Sequence, residues 1–174
     1  MTSGYYGSSA DSHPHGGTPD DLLESIREEF GELFDPCPNN PTFDGLAIDW
    51  PQDMTVYCNP PYTRGVITEW IRKCHNQWRK GSTVVLLIPS YTDTVAFHRY
   101  IYPYAELRFI RGRLKFKGYS GQASFPSMLA IFNNPDRCMW NYVDVLEYGE
   151  EDLNAFQCDC PTCVEEDLAY ERSL

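Results

Sequence analysis

No run of about 18 apolar residues interrupts this chain of 174, so no membrane span is expected. The first residues lack the basic start and apolar core of a secretory signal. No glycine-rich loop follows an apolar run, which removes the dinucleotide-binding fingerprint from consideration. No internal repeats are visible. Basic residues are scarce, with 14 Lys and Arg against 25 Asp and Glu and a net charge of −11. That balance argues against attraction to a polyanion over the whole surface. The seven cysteines are odd in number and scattered, so a disulfide framework is not expected. Reduced thiols in a cytoplasmic compartment are the natural reading.

What is present suffices for one globular domain with a sizeable core, at 42% apolar and 14% aromatic residues. The charge is distributed unevenly. Between Arg64 and Lys117 stand eleven Lys and Arg and three acids, a net of +8, which leaves −19 for the two flanks. A basic middle with acidic ends is compatible with a polyanion meeting one face only.

Local signals divide the chain. Residues 1–17 carry no period and read as a flexible tail. Thr18-Pro19-Asp20-Asp21 reads as a helix start with Thr18 as the cap, and Gly31 as its end. Phe34 ends a short expected strand with Asp35 at its tip, where ligands gather in open α/β sheets. Phe43 to Trp50 reads as a loop, in which Asp49 is a candidate for a ribose hydroxyl and Trp50 a candidate to pack on an adenine. Thr55 to Cys58 reads as a strand and Val66 to Arg79 as an amphipathic helix, with a buried strand over Thr83 to Ile88. A helix capped by Thr92 or Asp93 is expected to run to about Tyr100. Glu106–Arg111 and Arg113–Phe116 alternate as two strands around Gly112, with a last buried strand over Phe125 to Phe132. The acidic extension over 136–174 holds Cys158, Cys160 and Cys163, with Cys138 upstream. Four thiolates would suffice for zinc, but the C-x-C-x2-C spacing is not that of a standard knuckle, and free thiols are the plainer reading.

The chemistry concentrates in Asn59-Pro60-Pro61-Tyr62. Two prolines after a strand stop the ladder, since neither donates a backbone hydrogen bond. An amide side chain is thereby held beside a free main-chain carbonyl, and an aromatic ring follows. Together they suit a flat group bearing an NH2, such as adenine. The Asn59 side-chain oxygen and the carbonyl near Pro60 accept both amino hydrogens, and Tyr62 stacks on the ring. Accepting both hydrogens frees the amine lone pair for direct attack on a methyl sulfonium, with no metal or covalent enzyme intermediate. A plain polar turn after a strand is the competing reading of the same four residues. Cys37 after Pro36 also suggests a nucleophilic thiol of the cytosine-C5 type, although its context does not fit.

With these pieces in order, the chain resembles the phage-type (Dam-like) DNA N6-adenine methyltransferase family. The resemblance runs from about Thr18 to Phe132, through TPDDLLESIREEFGELFDPCPNN, FDGLAIDW, YCNPPYTRGVITEWIRKC, GSTVVLLIPSYTDT, ELRFIRGRLKF and FPSMLAIF. It implies an α/β fold, an abbreviated Rossmann-like S-adenosylmethionine-dependent methyltransferase sheet with helices on both faces and a terminal antiparallel hairpin. The methyltransferase domain would span 18–135. It implies that Asn59, Pro60, Pro61 and Tyr62 form the catalytic motif, and that Thr18, Asp35, Pro36, Cys37 and, less directly, Asp49 contact the cofactor. Arg64, Arg111, Arg113 and Lys115 are expected at the phosphates of a duplex from which the adenine is flipped out. A virus- or prophage-encoded enzyme would work inside the host cell. Pro38 and Asn39 stand where a methyltransferase cofactor loop usually has glycines. About two dozen residues separate Asp35 from Asn59, too few for two intervening strand–helix units. No separate recognition domain is evident, which leaves room for a homodimer or a partner in sequence recognition. RNA adenine and a protein glutamine amide are alternative substrates for the same motif. A non-catalytic nucleic-acid-binding protein and a zinc-stabilised adaptor are the readings from other classes.

Overall fold

The computed structural model describes residues 16–133. Apolar side chains spaced three and four apart form the helices, and short apolar runs form the strands. In chain order these are α1 (Asp20–Phe30), β1 (Leu33–Phe34), β2 (Thr55–Cys58), α2 (Val66–Arg79), β3 (Val84–Pro89), α3 (Val95–Tyr100), β4 (Glu106–Phe109) and β5 (Ser127–Phe132). The strands make one open sheet in the order β1-β2-β3-β5-β4. β1, β2 and β3 are parallel. β5 runs antiparallel between β3 and β4 and pairs with both.

Period-two alternation sends each strand's side chains to two cores. On one face Val56, Cys58, Val84, Leu86, Met128, Ala130 and Phe132 meet Trp70, Ile71, Cys74 and Trp78 of α2 and Ala96 and Phe97 of α3. On the other face Tyr57, Val85, Leu87, Leu129 and Ile131 meet Ile26 of α1 and Phe116, Ala123 and Phe125 of the chain between β4 and β5. Helices therefore cover both faces, as expected. All six residues of β3 and all six of β5 are buried, which suits strands flanked on both sides.

The hairpin around Gly112 does not form. Residues 113–116 are irregular, and β5 takes the place beside β4. Leu114 and Phe116 turn into the second core instead of pairing. Alternation was satisfied there by burial, and the longer apolar strand Ser127–Phe132 offered β4 the better ladder. The last strand accordingly begins at Ser127, not Phe125.

Two caps also differ from expectation. Pro19 occupies the N-cap of α1 and no side chain caps it, so Thr18 is free for other work. Thr94, rather than Thr92 or Asp93, caps α3 by accepting from the Phe97 N–H at 3.2 Å.

Residues 35–54 contain no helix or strand, and β1 is left at the sheet edge. The short spacing between Asp35 and Asn59 thus holds no strand–helix unit. Gly45 lets this segment close against its start, because a Cβ there would stand 1.9 Å from the Pro36 carbonyl oxygen. Trp50 is buried in that packing. It donates from Nε1 to the Gly45 carbonyl at 2.8 Å and stacks on Trp70, so it is a core residue and not an adenine platform.

Candidate active site

Asn59 follows β2 directly, at the carboxyl end of the parallel strands. It is buried, with 6% exposure. Its Nδ2 donates to the Gly16 carbonyl at 3.2 Å and to Thr18 Oγ1 at 3.3 Å. Its Oδ1 accepts from the Tyr62 hydroxyl at 2.8 Å, and that hydroxyl also stands 3.2 Å from the Leu87 carbonyl. Thr18 Oγ1 lies 2.7 Å from the Tyr57 hydroxyl. The amide is thus held on every side, and Thr18 is placed as a neighbour of the motif. Gly16 and Gly17, expected in the tail, are buried parts of this structure. Gly17 pairs with Lys117 as an isolated bridge, and Gly16 adopts φ 66° where a Cβ would strike Tyr119.

Tyr62 is turned inward. Its ring meets Phe116 and Phe125 edge-on, at 6.1 and 5.5 Å between centroids. Its hydroxyl occupies Asn59 Oδ1. Pro60 is fully buried, and Pro61 is half-buried beside it. The two prolines hold the turn while Asn59 and Tyr62 carry its polar atoms.

A cleft of about 160 Å3 opens beside Asn59. Thr18, Asp35, Cys37, Tyr57 and Asn59 line it, together with Gly17, Leu23, Arg27, Leu33, Asn39 and Lys117. Three of the five residues expected to contact a cofactor therefore meet Asn59 in one cavity. The other two do not. Pro36 is fully buried beneath the loop. Asp49 stands elsewhere, exposed, and bonds to Lys80 at 2.7 Å and Gln77 at 3.2 Å. The Lys80 ammonium holds its carboxyl below the usual range.

Asp35 Oδ1 accepts from the Cys37 N–H at 2.8 Å, an Asx-turn that also aims the carboxylate at the cleft. Crowding by the surrounding protein raises its pKa, although the carboxylate remains open to water at the cleft mouth, which screens the effect. Burial, with the charges of Asp35 and Cys74 behind it, pushes the Cys37 thiol up to about 12. Burial that holds the thiol in its neutral form speaks against Cys37 as a nucleophile. Cys58 is pushed up by complete burial and by Cys74 beside it. Among the described residues Cys58 and Cys74 are free thiols.

The family model for DNA N-6-adenine-methyltransferase (Dam) matches residues 15–144. The chain belongs to the Dam family. It is accordingly an enzyme of DNA adenine N6 methylation. Comparison with curated proteins finds no match.

The remaining Dam-family expectations concern the rim. β3 and β4 both run against β5, so the end of β4 at Phe109 lies at the same sheet end as Asn59. Arg111 and Arg113 follow it there. Arg64, Arg111, Arg113 and Lys115 are all exposed and make no ion pair among the described residues. Arg108, in the same run, is committed internally. It holds Glu29 with two bonds of 2.6 and 2.7 Å and Glu106 with one of 2.6 Å, tying α1 to β4. Lys117 pairs with Asp20.

Sequence reasoning missed Arg27, Tyr57, Asn39 and Lys117 in the cleft. Arg27 had a faint signal, lying four residues after Leu23 on the same side of α1. Lys117 had none, because its place depends on the bridge to Gly17, a hundred residues earlier. The candidate zinc ligands Cys138, Cys158, Cys160 and Cys163 lie outside the described residues. Among the described residues no helix is long and apolar enough to cross a membrane, and no group of three or more His, Cys, Asp or Glu is arranged to hold a metal.

Proposed function

We propose that this Dam-family protein transfers a methyl group from S-adenosylmethionine to the N6 amine of an adenine flipped out of duplex DNA. The observation that carries the reading is one cavity lined by both Asn59 and the residues Thr18, Asp35 and Cys37. The cleft suits the cofactor because it joins a carboxylate, a guanidinium and a hydroxyl to the apolar walls of Leu23 and Leu33. S-adenosylmethionine would supply a methyl group on a positively charged sulfur, ready for direct attack.

The residues of the chain prepare the amine. Asn59 Oδ1 accepts one amino hydrogen and a main-chain carbonyl near Pro60 accepts the other. Both bonds strengthen as positive charge develops on nitrogen, which lowers the barrier more than it tightens the ground state. The bonds from Asn59 Nδ2 to Gly16 and Thr18 fix which end of the amide faces the base. Tyr62 must release Asn59 Oδ1 before the amine arrives, and its ring is then available to stack on the adenine. Arg64, Arg111, Arg113 and Lys115 hold phosphates around the opening. The sheet is read as an abbreviated Rossmann-like methyltransferase fold, with residues 35–54 replacing two strand–helix units.

Methyl transfer from labelled S-adenosylmethionine to duplex DNA, single-stranded DNA and RNA tests this, with nucleoside analysis by mass spectrometry and Asn59→Ala as control. N6-methyladenine in duplex DNA, lost in the variant, is expected. Normal turnover by Asn59→Ala would overturn the mechanism, and methylation of RNA alone would overturn the substrate.

A further inference from the structure

We propose that Arg27 is the carboxylate-binding residue of the cleft and, together with Asp35, receives the amino-acid end of the bound cofactor. The inference rests on the S-adenosylmethionine reading above and adds to it a residue and an orientation.

Three charged side chains line the cleft, and they differ in what already satisfies them. Lys117 is paired with Asp20. Asp35 has one carboxylate oxygen on the Cys37 N–H and the other without a partner among the described residues. Arg27 makes no side-chain hydrogen bond or ion pair among the described residues. Arg108 supplies the contrast within the same molecule, since it holds two carboxylates through three short bonds. Arg27 is exposed and lines the cavity, so its guanidinium has donors to offer an acceptor bound there.

The fold gives Arg27 a fixed base. Ile26, its neighbour, is buried at 3% exposure and seats α1 on the sheet. Leu23, one turn earlier on α1, lines the same cleft. An α-amino acid carries one ammonium and one carboxylate. An unpaired carboxylate oxygen on Asp35 and an unpaired fork on Arg27 are the complementary charges. The planar guanidinium matches a carboxylate with two parallel bonds, which a lysine does not reproduce.

Titration calorimetry on the full chain separates the possibilities, using three ligands that cannot react. S-adenosylhomocysteine has the whole amino-acid end. Its decarboxylated analogue keeps the ammonium alone, and 5′-methylthioadenosine has neither charge. For the wild type, S-adenosylhomocysteine should bind most tightly. Arg27→Gln should weaken S-adenosylhomocysteine about 10-fold and leave the decarboxylated analogue unchanged. Arg27→Lys should fall between. Thermal melting of each variant monitors folding, and if Arg27→Gln melts below the assay temperature, Arg27→Lys carries the test with the same ligand pattern. Unchanged S-adenosylhomocysteine affinity in the folded variants, or an equal loss for all three ligands, would overturn the role of Arg27 while leaving the cofactor reading intact. A wild-type chain that binds none of the three would overturn both.

Discussion

On one face of the sheet, α2 and α3 lay Trp70, Ile71, Trp78 and Phe97 over a dry apolar core. On the other, a single helix and the irregular chain from Ile110 to Phe125 cover the strands, and here lie the chain's buried polar atoms of interest. Thr18, Tyr57, Asn59 and Tyr62 form one hydrogen-bonded network on that side. The first face is built by periodic pattern. The second is built by contacts between distant segments, Thr18 with Tyr57 and Asn59 with Gly16. The cleft opens on the second face, where a loop and the bridge between Gly17 and Lys117 stand in place of a second helix.

Substitutions on the two faces should therefore fail in different ways. Asn59→Ala should give the largest effect on activity, a loss of at least about 10²–10³ in kcat, as for removal of one preorganised charge-stabilising group. Its melting temperature should also fall, since the buried Gly16 carbonyl and Thr18 hydroxyl each lose a partner, so turnover is scored per folded molecule. Phe132→Ala tests the opposite face. Phe132 is fully buried against Trp78, and the variant should lose about 3–5 kcal/mol in urea denaturation while methyl transfer per folded molecule stays near wild type. Loss of turnover without loss of stability in that variant would mean that the two faces are not separable.

At the rim, charge reversal at Arg111 and Arg113 should raise the KM for DNA and flatten its salt dependence, by a slope of about 1 for each phosphate contact removed. Cofactor affinity should not change. Unchanged DNA affinity would remove these arginines from the interface.

The smallest expected effect sharpens the comparison most. Crowding disfavours the Asp35 carboxylate, so its folded-state pKa lies above the unfolded one. The stability tied to this group is full below the unfolded pKa and is lost as pH rises through the folded pKa. Asp35→Asn keeps an acceptor for the Cys37 N–H and removes the charge. It should melt about 1–2 °C higher than wild type at pH 7, a fraction of a kcal/mol because Asp35 is open to water, with the gap closing toward pH 4. Affinity for S-adenosylhomocysteine should fall at the same time. A variant that is both more stable and weaker in binding is the signature of a site held at a cost to the fold.

Much of this was legible in the chain. β2 and α2 fall at their expected residues because an apolar strand and a three-four repeat each specify their own length. Asn59-Pro60-Pro61-Tyr62 was legible for a related reason, since the chemistry and the turn reside in four adjacent residues. Thr18 was misread as a cap because a cap signal is local, while its partners lie 39 and 41 residues away. The strand expected over Arg113–Phe116 failed because alternation states that two side chains point one way, not which surface receives them.

The sequence by itself determined the periodic elements, the amide-proline motif and membership of the Dam family, all of which are written in short runs of adjacent residues. Tertiary structure alone decided that β5 would part β3 from β4, that Tyr62 would rest on Asn59, and that Arg27 and Asp35 would face one cleft. Those outcomes turn on which distant surfaces exclude water from each other most completely, and no window of neighbouring residues records that competition.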